Sequence, residues 1–458
     1  MKTAERPSVQ SLEARRLMAA AALVTSTSAY AGGTMLKISG TLANDTITLS
    51  YNGSAYTLKS AAGFTKVLPG DFTAIQIKAG KGNDRVTVDA SVTASVFLYG
   101  EDGNDTLRGG SGDDSIYSGA GSNWLYGESG RDTLVSVGGN TNDGLTGGGG
   151  EDFFWLDNKT TERLFDANSA EKVRSVNRIN AFETSRFTTG TKRTEAVTNQ
   201  LLGQRFRDPD LTSKTYVYKR FDNRPLFSAD GPGADDVRQG QVGDCYFLST
   251  VAGVADVTPD VIRSMMVDLG DGTYGVRFKA KGVDKFYRVD NDLAVYNKTS
   301  TAPAYAALGQ GGSMWVAVAE KAFAYARRTQ GTYASLNSGW MTEAYNAIGA
   351  KAEQTMWNSD ADSADEYLDW VQSRLDAGDV VTLACFSNSE QLNLVGGHAY
   401  TVDRVETAGD GTRQLVIRNP WGVDGYYAAQ DGQNDGYVTL NANAAFTAID
   451  AFVSARVA

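Results

Sequence analysis

The stretch "QGQVGDCYFLST", residues 239–250, holds one of only two cysteines in a chain of 458 residues. Glycines at 240 and 243 loosen the approach to it. Asp244 is placed to cap a helix whose first residue is Cys245, and Phe247, Leu248 and Val251 then share one face at helical spacing. No proline follows before Pro259. A thiol in the first turn meets unpaired amides and the positive end of the macrodipole, both of which favour the thiolate. Most lone cysteines are small buried hydrophobes, and Cys385 in the apolar run "VVTLACF" fits that description. Cys245, at a helix start behind two glycines, reads instead as a nucleophile.

A nucleophilic thiol needs a base. The chain has one histidine, His398, in "LVGGHAYTVDRV". A lone histidine in a strand is more often a satisfied core residue. Its company weighs the other way, because "IRNPWG" places Asn419 twenty-one residues on (419 − 398). An asparagine amide can accept from one imidazole nitrogen and leave the other facing a thiol. The order Cys, His, Asn is that of papain-like proteases. A Cys–His separation of 153 residues (398 − 245) suits two lobes meeting at a cleft.

Together, "QGQVGDCYFLS", "GGHAY" and "RNPWG" resemble the protease core of the calpain family. Gln239, Gly240, Gly243, Asp244, Cys245, Phe247 and Leu248 match the family pattern around the nucleophile, and Tyr246 stands where tryptophan is usual. "MWVAVAEKAFA", "GTYASLNSGWMTEAYNAIGA" and "NDGYVTL" extend the similarity over residues 206–458. The resemblance implies an α+β, papain-like, two-lobed fold and peptide hydrolysis through an acyl-thioester. It casts Cys245 as nucleophile, His398 as base, Asn419 as the orienting residue and Gln239 as an oxyanion donor, with Trp421 shielding the His–Asn bond. After "NPWG" the sequence departs from the family, so calcium activation of this core is left open.

The N-terminal third has a different logic. Residues 34–99 read as short strands broken at Gly or Asn. From Gly100 a nine-residue period runs through "GEDGNDTLR", "GGSGDDSIY", "SGAGSNWLY" and "GESGRDTLV", then, after a two-residue insertion, "GGNTNDGLT" and "GGGGEDFFW". Its sixth position holds Asp105, Asp114, Asn123, Asp132, Asp143 and Asp152, and its eighth an apolar residue throughout. Glycines permit tight turns, a fixed carboxylate per repeat stacks into a column, and a hard cation such as calcium relieves the repulsion. A flexible Gly-rich linker would have no reason to keep Asp and Leu in register. The segment resembles the haemolysin-type (RTX) calcium-binding repeat, which implies an all-β parallel β-roll or β-helix with Ca2+ at those five aspartates. "AGKGNDRVT" at Ala79 looks like an outlying turn, and Asn123 and the insertion weaken the sites beside them.

Composition agrees. Of the net charge of -11, −9 lies between Gly100 and Asp157, where eleven Asp or Glu face two Arg. This excess opposes a nucleic-acid partner, and no apolar run is long enough for a transmembrane span. At the N-terminus, Arg15 and Arg16, the apolar run from Leu17 to Val24 and the small residues of Ala29-Tyr30-Ala31 have the layout of a secretory signal. An amphipathic tail is the competing reading. "SLEARRLMA" also resembles a short sorting tag of exported bacterial proteins.

The expected organisation is a signal or sorting segment at 1–33, a β-rich calcium-binding region at 34–157, a connector at 158–205 with a nickable Lys192-Arg193, and a protease domain at 206–458. The expected function is an exported, secreted or cell-surface calpain-like cysteine endopeptidase acting on protein or peptide substrates. The alternative is a catalytically silent calcium-dependent protein that binds a cell-surface or matrix ligand.

Overall fold

The computed structural model describes residues 23–139, 142–167, 175–188, 191–197, 207–425 and 433–457. The chain divides into two compact units, one holding the repeats and the other nearly all of the chain from Gly203 on.

The first unit is a parallel β-roll. Successive short strands are added alternately to two sheets. Ser95–Asp102, Ser115–Tyr117, Thr133–Val135, Phe153–Asp157 and Val176–Ile179 follow one another in the first. Arg85–Val88, Thr106–Arg108, Trp124–Ser129, Gly144–Gly149 and Arg163–Leu164 follow one another in the second. Each strand ladder is in register, with Leu98 beside Ile116 beside Leu134 beside Phe154, and Val86 beside Leu107 beside Leu125 beside Leu145. These eighth-position residues fill a narrow core between the sheets, where all are fully buried or nearly so. Antiparallel hairpins close the start of the roll. Val24–Tyr30 pairs with Gly33–Ser39, and Thr46–Tyr51 with Ala55–Ser60.

One expected boundary shifts. Strand pairing continues past residue 157 to Ile179, so part of the expected connector belongs to the roll. Within the expected connector, Lys192 and Arg193 lie in a paired strand, opposite Phe187 and Arg186. At the other end, residues 1–22 of the leader lie outside the described residues, and cleavage after Ala31 would remove the edge strand Val24–Tyr30.

The second unit is α+β and two-lobed. Its helices are α1 (Cys245–Val257), α2 (Pro259–Met265), α3 (Trp315–Ala326), α4 (Met341–Ile348), α5 (Ala364–Asp376) and α6 (Ala442–Ala448). The first lobe is built on α1, with α3 and a sheet containing Thr273–Ala280 and Val283–Asp290. The Phe247 ring of α1 stacks on Phe323 of α3 at 4.2 Å, burying two large apolar side chains where the sequence pattern places them.

The second lobe is a six-stranded antiparallel sheet in the order Lys351–Trp357, Ala451–Arg456, Val380–Cys385, His398–Thr407, Arg413–Arg418, Tyr437–Asn441. Helices α5 and α6 complete its core. Helix α1 joins the lobes. The Thr401 hydroxyl donates to Ser249 O at 2.7 Å. Gly253 lets the helix lie against this sheet, because a Cβ there would stand 2.6 Å from Val380 Cγ1 and 3.0 Å from Thr401 Cγ2.

Candidate active site and calcium ladder

Cys245 is the first residue of α1, as its sequence predicts. The cap is different from expectation. The Asp244 side chain makes no capping hydrogen bond. It is fully buried and faces the equally buried Glu320 of α3, with which it shares a hydrogen bond. Two carboxyls in one dry site cannot both ionise, so burial and mutual repulsion keep a proton between them. Glu320 also accepts from the Ala306 amide at 3.1 Å. Nothing in local sequence marks this pair, whose members are 76 positions apart (320 − 244).

His398 begins the strand His398–Thr407, and Asn419 follows directly after the neighbouring strand Arg413–Arg418. Histidine Nε2 lies 3.0 Å from Asn419 Oδ1. The amide orientation is fixed by two further bonds. Asn419 Oδ1 accepts from the Trp421 amide at 3.0 Å, and Nδ2 donates to Asp424 O at 3.0 Å. Oδ1 is therefore an acceptor, Nε2 carries the proton, and Nδ1 keeps its lone pair. The Trp421 ring lies 4.9 Å from the imidazole, and the Tyr400 ring meets it edge-on at the same distance.

Cys245, His398 and Gln239 line one cleft of about 880 Å³, together with Trp340, Phe386 and Trp421. The lobes are tied beside it by the Gln239 amide, which donates to Pro420 O at 2.7 Å. The walls are held from behind. Arg327 donates to Ser335 O, Ser338 O and Glu343, and its guanidinium sits 4.9 Å from the Tyr246 ring. A Cβ on Gly339 would strike that ring at 2.4 Å.

Two electrostatic expectations change. Burial pushes the Cys245 thiol up to about 11, overriding the helix terminus, although the Ala399 amide donates to its sulfur. Burial also lowers His398 to about 4, against the opposing pull of Asn419. Burial thus disfavours the charged form of both the thiol and the imidazole. Gln239 also differs. Its Nε2 donates to Val242 O at 2.6 Å and to Asp244 Oδ1 at 3.3 Å, so an oxyanion would have to draw the amide away from these acceptors.

In the roll, the sixth-position side chains form two columns rather than one, because alternate repeats belong to opposite sheets. Asp105, Asn123 and Asp143 stand in one, and Asp114, Asp132 and Asp152 in the other. They turn inward and are buried. Each Oδ1 accepts the backbone amide of the preceding coil. Asp105 takes Asp84 N at 2.8 Å, Asn123 takes Asp105 N at 2.8 Å, and Asp143 takes Asn123 N at 2.7 Å. On the other side Asp114 takes Val96 N at 2.8 Å, Asp132 takes Asp114 N at 2.9 Å, and Asp152 takes Asp132 N at 2.9 Å. Asp84, from the outlying turn, extends the first column by accepting Asp45 N at 2.7 Å.

The second carboxylate oxygens test the fit to calcium. Oδ2 of Asp84, Asp105 and Asp132 is buried with no hydrogen-bond partner. Desolvation, aided by neighbouring carboxylates, raises these groups to about 6, 7 and 9. Such orphaned oxygens, with Ser118 O close to Asp105 and Gly147 O close to Asp132, fit a hard divalent cation, which would let them ionise. The first-position glycines keep the space open. A Cβ on Gly100, Gly109, Gly127 or Gly147 would come within 2.2–2.6 Å of the Oδ2 of its own repeat's aspartate. Asn123 preserves the ladder, but its amide donates to Gly121 O at 3.3 Å and supplies no second carboxylate oxygen.

Comparison with known proteins agrees with both units. Residues 196–437 match the family model of the calpain family cysteine proteases, and residues 99–134 match the RTX calcium-binding nonapeptide repeat. The repeats thus bind calcium. Among curated proteins, the chain is 32% identical over 215 residues to a calpain-type cysteine protease, DEK1, of Arabidopsis thaliana, covering 44% of this chain and 10% of that protein. It is 27% identical over 233 residues to the calpain-1 catalytic subunit of Mus musculus, covering 46% and 31%. For the calpain-2 catalytic subunit of Rattus norvegicus the match is 27% over 214 residues, covering 43% and 29%. The aligned stretch spans less than a third of each relative.

Proposed function

Because the chain belongs to the calpain family of cysteine proteases, we propose that it is an endopeptidase whose triad is Cys245, His398 and Asn419. The observation that carries this reading is the 3.0 Å bond from His398 Nε2 to an Asn419 oxygen of fixed orientation, in the cleft that Cys245 also lines. Nδ1 is then the basic nitrogen. It takes the thiol proton as sulfur attacks the scissile carbonyl carbon, which closes the expected thiolate gap without a resting ion pair. The oxyanion is met at the helix start, with Gln239 Nε2 as second donor once it leaves Val242 O. The imidazolium returns its proton to the departing amine, leaving an acyl-thioester. Water, deprotonated by the same nitrogen, then cleaves the ester and restores the thiol.

Asp105, Asp114, Asp132, Asp143 and Asp152 are the proposed carboxylate contributors to the calcium sites, with Asp84 added to them by its unpartnered oxygen. Repeats of this type are common in exported bacterial proteins, which supports export. No described helix is long and apolar enough to cross a membrane.

Casein hydrolysis by the full chain, with and without calcium, tests the reading. Cys245→Ala is expected to abolish turnover while leaving the melting temperature unchanged. Retention of more than about a twentieth of the rate would dismiss Cys245 as nucleophile.

A further inference from the structure

Beside the proposed catalytic residues, one wall of the cleft ends in three aromatic rings that pack on one another, two of them open to water. Trp340 and Trp357 stack at 5.9 Å with their planes 14° apart, and Phe386 lies 6.3 Å from each. Trp357 is 40% and Phe386 54% exposed. Isolated exposed apolar side chains are ordinary, but a packed cluster of three keeps a continuous apolar face wet at a cost unless something covers it. Trp340 and Phe386 line the same cleft as Cys245 and His398, so the face is continuous with the place where a peptide must lie.

The rings are held by backbone, not by chance packing. The Phe386 amide donates to Asp450 Oδ2 at 2.6 Å, and Asn358, next to Trp357, donates to Asp450 O at 3.1 Å. The Trp357 amide donates to Asp360 Oδ2 at 3.0 Å. Trp340 precedes α4 and takes the Glu343 amide on its carbonyl at 2.9 Å. A platform fixed in this way loses little freedom when a ligand covers it. Among the described residues, the cleft lining includes no Asp, Glu, Lys or Arg.

We propose that Trp340, Trp357 and Phe386 form a substrate subsite that selects an aromatic side chain, Phe or Tyr, close to the scissile bond. The assignment rests on the cleft being the peptide-binding site of a protease. Offset or edge-on contact with three rings favours an aromatic occupant over an aliphatic one of similar area.

The test separates binding from turnover. Full-length Cys245→Ala protein in calcium is titrated with labelled peptides that differ at one residue, Phe, Leu, Ala, Lys or Glu, and anisotropy reports affinity. Phe is expected to bind on the order of tenfold more tightly than Ala and roughly threefold to tenfold more tightly than Leu. Trp357→Ala and Phe386→Ala, added singly, should reduce the Phe-over-Ala ratio to less than about threefold. Both residues are exposed, so unchanged thermal unfolding verifies that each variant is folded. Equal affinities across the panel, a preference for Lys, Glu or Leu, or variants that bind as the parent does would overturn the subsite. If the aromatic preference holds but the unmutated chain hydrolyses no peptide, the subsite stands and the hydrolytic reading falls. Hydrolysis with no side-chain preference removes the subsite and leaves the hydrolytic reading standing.

Discussion

Cys245 and His398 are shifted by one cause, the removal of water from both. Burial holds the thiol near 11 and the imidazole near 4. A thiol with a raised pKa is protonated at neutral pH, and its thiolate fraction climbs about tenfold per pH unit below that pKa. Alkylation of Cys245 by iodoacetamide is therefore expected to accelerate steadily from pH 7 to 10, with Cys385, fully buried and near 12, left unlabelled in the native protein. A rate plateau between pH 5 and 8 would instead reveal a thiolate–imidazolium pair and sink this account. His398, with its pKa lowered, stays a competent base through mildly acidic pH and is lost as a base only as pH falls towards 4.

The members of the proposed triad stand out in the sequence because each sits in a contiguous motif whose neighbours do local work. The electrostatics do not, because a helix terminus is visible in sequence while the depth of its burial is set by distant chain. Asp244 illustrates this. It reads as a cap, yet α3 covers it and hands it a carboxyl partner. Trp357 and Phe386 gave no sequence signal either, since one ends a strand, the other follows directly on a different strand, and they meet only through the order of the sheet.

At the scale of elements, α1 decides whether the cleft exists, since it carries the thiol and packs on the strand that carries the imidazole. Its fit depends on Gly253. Gly253→Ala places a methyl group 2.6 Å from Val380 Cγ1. The variant is expected to lose about 1–3 kcal/mol in urea unfolding of the full chain. Casein hydrolysis should fall with it, because the helix start moves away from His398. An unchanged midpoint would mean that the helix–sheet contact has room to spare.

Periodicity identified α1 and the longer strands directly. It could not identify roll strands of three residues such as Ser115–Tyr117, which are too short to show alternation. There the nine-residue repeat carried the information instead. Beyond residue 157 the repeat fades while pairing continues, so the periodic signal ends about one coil, two strands, before the roll does.

For the molecule as a whole, calcium is the largest lever on the roll. Its column carboxylates are buried, and those of Asp84, Asp105 and Asp132 each keep an oxygen without a partner. Each coil also adds little apolar area for the backbone it orders. A cation that binds only the folded roll stabilises it by about 2.7 kcal/mol per site at a hundred times its dissociation constant. The expected outcome is a calorimetric transition of the full chain that moves upward with calcium, falls in chelator, and responds poorly to magnesium, whose smaller octahedral shell suits these sites badly. A calcium-independent transition would leave the repeats as a metal-free scaffold.

The alternation of coils between two sheets also constrains how such a chain can change over time. Within the nonapeptide repeats, equivalent positions in one column are 18 residues apart, as from Asp114 to Asp132, or 20 across the insertion, as from Asn123 to Asp143; the outlying Asp84 stands 21 from Asp105. Loss of a single nonapeptide would send every later strand to the opposite sheet and exchange the two aspartate columns from that point on. Loss or duplication of two keeps the parity and leaves Val176–Ile179 on its own sheet. The heritable unit of this roll is therefore the pair of repeats, and relatives should differ in length within it by even numbers of nonapeptides.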